Sequence, residues 1–71
     1  MPSPQDLRAH LVEDQVLVTV GSRVLFRYDV DDAGLRNVAA VTLPEMGFTA
    51  RRVAQVLGIT EVYVSMLRRR T

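Results

Sequence analysis

The chain has 71 residues, a mass of 8.0 kDa, no cysteine and a net charge of +1. This length allows one domain and excludes large catalytic α/β folds, and the lack of cysteine excludes disulfides and cysteine-based metal sites. Hydrophobic residues make up 48% of the chain and charged residues 24%, as in folded globular domains. No uncharged run exceeds eight residues, and the first residues lack the pattern of a secretory signal. We therefore expect a cytoplasmic protein without a membrane partner.

The charges are unevenly distributed along the chain. Residues 1–47 hold four arginines and seven acids, a net charge of −3, whereas residues 48–71 hold five arginines and one acid, a net charge of +4. A basic part joined to an acidic part indicates that the basic part binds a polyanion.

The opening segment, residues 1–14, fits a short helix. Ser3 matches an N-cap, Pro4 a proline in the first turn, and Leu7 and Leu11 lie one helical turn apart.

Residues 15–29 are predicted to form a β-hairpin. Two runs rich in valine and aromatic residues flank Gly21-Ser22, and a two-residue turn that begins with glycine is typical of a tight hairpin. In that register Leu17 lies opposite Phe26. Because an isolated two-stranded ribbon is only marginally stable, we expect the hairpin to pack on the helices that follow.

After the hairpin, the spacing of hydrophobic residues changes from a period of two residues to a period of 3.6 residues. This change predicts a helix capped by Asp31 or Asp32 and ending at Gly47. Pro44 removes one helical hydrogen bond, so we expect a kink there or an end near Leu43. The predicted inward positions are Leu35, Val38, Ala39, Thr42, Leu43 and Met46.

Two further helices begin in the same way. Thr49 is expected to cap Ala50–Leu57, and Thr60 to cap Glu61–Arg70. Gly58 lies between them, where a left-handed residue ends one helix and redirects the chain into the next. Two short helices joined so closely cross at a steep angle, which predicts a helix-turn-helix.

Residues 31–70 resemble a known family. The segments DDAGLRNVAAVTL at 31–43, MGFT at 46–49 and VAQVLGIT at 53–60 look like the homeodomain-like N-terminal DNA-binding domain of bacterial transposases. The resemblance implies a three-helix unit that recognises the ends of a transposable element. Pro44 and Glu61 depart from the pattern. The predicted fold is thus α+β, a single domain with an N-terminal β-hairpin and a three-helix, homeodomain-like helix-turn-helix core.

The predicted function is sequence-specific binding of double-stranded DNA, by a transposase-like recognition module or a small transcriptional regulator. With Tyr63, Val64 and Leu67 facing inward, helix periodicity places Glu61, Val62, Ser65 and Arg69 outward, with Met66 at the margin. Arg69 is expected to reach guanine or a phosphate, and Ser65 a base edge or a phosphate. Glu61 is expected to accept from cytosine, and Val62 and Met66 to contact thymine methyls. Helix starts and the remaining arginines are expected to contact the backbone. The predicted DNA-binding residues are Thr49, Arg51, Arg52, Thr60, Glu61, Val62, Ser65, Met66, Arg68, Arg69 and Arg70.

An alternative hypothesis is a self-association module, a homodimer formed through the hairpin edge and the Val62/Met66 helix face. The acidic segment 29–34 does not match a calcium loop, since Ala33 and Ala40 occupy ligand positions. His10 has no ligand partner at metal-binding spacing and is interpreted as a surface residue. No catalytic triad or metal pair is predicted, so we expect no enzyme activity, no cofactor and no small-molecule substrate.

Overall fold

The computed structural model describes residues 6–70. An antiparallel three-stranded sheet comes first in the chain, in the spatial order β1-β2-β3, and three helices follow it. The elements are β1 (Leu7–Val12), β2 (Gln15–Val20), β3 (Arg23–Asp29), α1 (Ala33–Glu45), α2 (Ala50–Leu57) and α3 (Glu61–Arg70). The α+β class predicted from the sequence is therefore confirmed.

The segment predicted as an N-terminal helix is strand β1 over Leu7–Val12, so that prediction is wrong. Leu7 and Leu11 are four residues apart, a spacing that places two side chains on one face of a helix and equally on one face of a strand. Pairing with β2, in which Leu7 lies opposite Val20, decides between the two. The predicted cap at Ser3 and Pro4 lies outside the described residues.

Strands β2 and β3 form the predicted hairpin, but with a different register. Val18 pairs with Phe26, and a register shift follows in which Leu25 is an extra residue of β3. The predicted pairing of Leu17 with Phe26 is wrong because one extra residue moves the following side chains to the other face of the strand. As a result Tyr28 lies in the core, 5% exposed.

Helix α1 begins as predicted, with the Oδ1 atom of Asp32 accepting a hydrogen bond from the Leu35 amide at 3.0 Å. The helix continues through Pro44 and ends at Glu45, between the two ends predicted for it, near Leu43 and at Gly47. Pro44 cannot donate to the Ala40 carbonyl, and the Met46 amide closes the last turn by donating to the Thr42 and Leu43 carbonyls at 3.2 and 3.0 Å.

The buried face of α1 is narrower than predicted. Ala39, Ala40 and Leu43 are buried, whereas Leu35, Val38 and Met46 are about half exposed. The prediction that these last three face inward is wrong, because the sheet and the other helices cover only one side of α1.

Helices α2 and α3 have the predicted bounds and caps. The Thr49 hydroxyl accepts from the Arg52 amide at 3.1 Å, and the Thr60 hydroxyl accepts from the Tyr63 amide at 3.0 Å. Gly58 ends α2 with a φ of 71°, a left-handed conformation that glycine adopts without a steric penalty. The chain thereby turns directly into α3.

One hydrophobic core joins the sheet to all three helices, as expected for a hairpin that needs a partner surface. None of the helices within residues 6–70 has the length and apolarity to cross a membrane. The buried apolar residues are Leu7, Val18, Val20, Tyr28, Ala39, Ala40, Leu43, Val53, Ala54, Val64 and Leu67.

Candidate nucleic-acid interface

Helix α3 packs on the domain through one face and leaves the opposite face in solvent. Val64 and Leu67 are buried on the inner side. The outer side carries the five residues predicted to read DNA bases, and all five are exposed, with Val62 76% exposed and Met66 39%. These residues are Glu61, Val62, Ser65, Met66 and Arg69, and we call them the α3 outer face.

A polar cluster fixes the start of α3 against α1. The Asn37 amide Nδ2 donates to the Tyr63 hydroxyl at 3.3 Å, and an Arg36 guanidinium nitrogen donates to Asn37 Oδ1, also at 3.3 Å. The Arg36 guanidinium carbon lies 5.9 Å from the centre of the Tyr63 ring, within cation–π distance. Sequence reasoning placed Tyr63 inward but missed its two partners.

The same arginine acts on the buried tyrosine of the sheet. Burial raises the pKa of Tyr28 above its ordinary value of 10.0, and the positive charge of Arg36 opposes part of this rise. Arg36 of α1 therefore lies over the Tyr63 ring of α3, and its charge also acts on Tyr28 of β3.

An open groove of about 540 Å³ separates α1 from the C-terminal half of α3. Ser65, Arg68 and Arg69 line it from α3, and Val41 and Glu45 line it from α1. The groove therefore places one carboxylate beside the arginines expected to contact DNA. Arg68, Arg69 and Arg70 are all exposed in the last turn of α3, where cations also interact favourably with the helix dipole.

The start of α2 presents exposed polar groups next to the turn. Thr49 and Arg51 are exposed, as is Thr60 at the start of α3. Each threonine hydroxyl oxygen accepts the capping hydrogen bond from a backbone amide. The O–H group of the same hydroxyl can still donate a hydrogen bond to a phosphate oxygen.

Arg52 differs from the other predicted DNA-binding residues. It is half-buried, and its Nη2 atom donates to the Leu7 carbonyl at 2.9 Å while Nη1 donates to Gln55 Oε1 at 3.4 Å. Its Nε atom is buried without a partner. Arg52 thus joins α2 to β1, a contact that the helix predicted for residues 1–14 does not provide.

Within residues 6–70, no three histidine, aspartate or glutamate side chains lie close enough together to hold a metal ion. Comparison of the chain with protein-family models, with curated proteins and with solved structures found no match. The resemblance to transposase DNA-binding domains consequently depends only on the sequence segments that carry it.

Proposed function

We propose that this domain binds double-stranded DNA by placing α3 in the major groove. The observation that carries the proposal is the α3 outer face, which is exposed along the whole helix while Val64 and Leu67 anchor its other side. A helix about 10 Å wide fits the major groove of B-DNA, which is about 12 Å wide.

The α3 outer face carries groups suited to base edges. Arg69 donates to the O6 and N7 atoms of guanine, Glu61 accepts from the N4 amino group of cytosine, and Val62 contacts a thymine methyl. Glu61 and Arg69 are eight residues apart, so they lie about 80° apart around the helix, both within its outer face, and about 12 Å apart along its axis. The two ends of α3 thereby read different base pairs.

Backbone contacts come from the region around the turn and from the end of α3. Thr49 and Thr60 present hydroxyl donors, and Arg51 is exposed in the first turn of α2. These groups hold the domain against phosphates, while the α3 outer face supplies the sequence preference. The resemblance of residues 31–70 supports a role as the recognition module of a transposase-like protein or as a small transcriptional regulator.

The test is selection of duplexes from a randomised pool, followed by fluorescence-anisotropy titration of the enriched sequence. Arg69→Ala is expected to weaken binding to the selected duplex by ~1–3 kcal/mol and to relax preference at one base pair. Arg27→Ala is the matched control, since Arg27 is also exposed but lies on β3. Equal effects of the two substitutions, or no enrichment, would contradict the proposal.

A second candidate function is self-association. Val62 is 76% exposed, more than the other large apolar residues seen at the surface of residues 6–70, and Met66 lies one turn further along the same helix. Strand β3 also forms an edge of the sheet. An exposed apolar patch and an open strand edge each favour pairing between two copies.

Sedimentation equilibrium separates the two functions. Under the DNA-binding proposal the protein sediments as a monomer at micromolar concentration, and the double substitution Val62→Ser with Met66→Ser alters duplex preference. Under self-association it sediments as a dimer that the same double substitution dissociates, and Arg69→Ala leaves duplex affinity unchanged.

A further inference from the structure

A second groove, of about 400 Å³, lies between strand β1 and helix α2. Its lining contains two guanidinium groups, an imidazole and an amide, and no carboxylate. In a domain with almost as many acids as arginines, such a lining favours an anion. The lining residues are Arg8, Ala9, His10, Arg52, Gln55 and Val56.

Part of this groove is rigidly built. The hydrogen bonds of Arg52 to the Leu7 carbonyl and to Gln55 hold one guanidinium in place, so little side-chain entropy remains to be lost when a ligand binds. Arg8 and His10 are exposed and occupy alternate positions of β1, which places their side chains on the same side of the strand. A fixed charge thus lies beside two accessible donors.

We infer that this β1–α2 groove binds a phosphate of the DNA backbone next to the segment that α3 reads, an inference that rests on the proposed function. Helix α2 contacts both β1 and α3, so only α2, a helix ~10 Å in diameter, lies between the groove and α3. When α3 lies in a major groove ~12 Å wide, the sugar–phosphate backbone that borders the groove passes within about one helix diameter of α3. Strand β1 therefore extends the DNA contact beyond the helix-turn-helix.

The experiment compares Arg8→Ala with Arg27→Ala by anisotropy titration at several salt concentrations on selected and random duplexes. Both residues are exposed on edge strands and both substitutions remove one positive charge, but only Arg8 lines the groove. Arg8→Ala is expected to weaken binding roughly fivefold on every duplex and to lower the slope of log affinity against log salt by ~0.9. Arg27→Ala is expected to change neither. Equal effects of the two substitutions overturn the inference, while a loss specific to Arg69→Ala still supports the proposed function.

Titration with inorganic pyrophosphate, followed through the backbone amide signals of labelled protein, tests the groove without DNA. Shifts at Arg8, His10 and Gln55 that disappear in Arg8→Ala support a phosphate site. Absence of these shifts overturns the inference, even if duplex binding through α3 is found. If the shifts appear but no duplex binds, the groove is a phosphate site, but the proposed function and the assignment of that phosphate to a DNA backbone both fail.

Discussion

Replacing Leu43 with alanine tests where the core lies. Leu43 is fully buried in α1, whereas Leu35 of the same helix is 47% exposed, so the same chemical change can be made at a buried and a half-exposed position. Removing a buried leucine side chain costs ~2–5 kcal/mol, depending on how far the cavity collapses. At ~0.05–0.15 kcal/mol per residue, a domain of this size has a free energy of unfolding of about 4–11 kcal/mol. Leu43→Ala therefore removes a large part of the stability.

The assay is urea denaturation followed by far-ultraviolet circular dichroism, with the two variants and the parent protein measured together. Leu35→Ala is expected to cost less than ~1 kcal/mol, since half of its side chain is already in water and alanine is a strong helix former. Leu57, which is half-buried rather than enclosed, should give an intermediate loss. Equal midpoints for Leu43→Ala and Leu35→Ala would refute the burial pattern of α1.

Three further substitutions and one titration have defined outcomes. Gly58→Ala should destabilise the domain by ~1 kcal/mol, because alanine is strained at a φ of 71°, and thermal denaturation measures this loss. Thr49→Ala should cost ~1 kcal/mol in urea denaturation, since it removes the acceptor for the Arg52 amide. Tyr63→Phe should cost ~0.5–1.5 kcal/mol in the same assay by removing the partner of Asn37. Tyr28 should ionise above pH 10.0 in an ultraviolet absorbance titration, because burial disfavours its phenolate.

The raised pKa of Tyr28 also has a consequence for stability. Above pH 10.0 the unfolded chain releases this proton while the folded chain retains it, so the free energy of unfolding falls as pH rises. Tyr28→Phe should reduce that fall. Ionisation of Tyr28 at or below pH 10.0 would contradict its burial. Unchanged stability in Gly58→Ala would contradict the left-handed conformation at that position, and unchanged stability in Thr49→Ala or Tyr63→Phe would contradict the hydrogen bond that the substitution removes.

Local signals made helices α2 and α3, and the turn between them, predictable from the sequence. Thr49 and Thr60 act through hydrogen bonds to amides three residues later, and Gly58 acts through its own backbone conformation. Each of these interactions involves residues close together in the sequence, so the local sequence is enough to predict it. The bounds of α2 and α3 were consequently predicted without error.

Long-range pairing explains what the sequence did not reveal. The four-residue spacing of Leu7 and Leu11 suits a helix and a strand alike, and only pairing with β2 distinguishes them. The extra residue Leu25 has no signature of its own, although it determines that Tyr28 enters the core.

In the candidate site, too, local features could be predicted from the sequence and long-range contacts could not. The outward direction of the predicted base-reading residues follows from helix periodicity and agrees with their exposure. The position of Arg52 against the Leu7 carbonyl depends on β1, and the contact of Asn37 with Tyr63 joins residues 26 positions apart. Neither contact can be read from local patterns.

The most direct test of the central claim is amide chemical-shift mapping of the labelled domain during titration with a selected duplex. The largest shifts are expected at the α3 outer face and at Thr49 and Arg51 near the start of α2. The hairpin turn at Gly21-Ser22 is expected to change little. Shifts concentrated at Gly21-Ser22, with the amides of residues 61–69 unmoved, would contradict DNA recognition by α3.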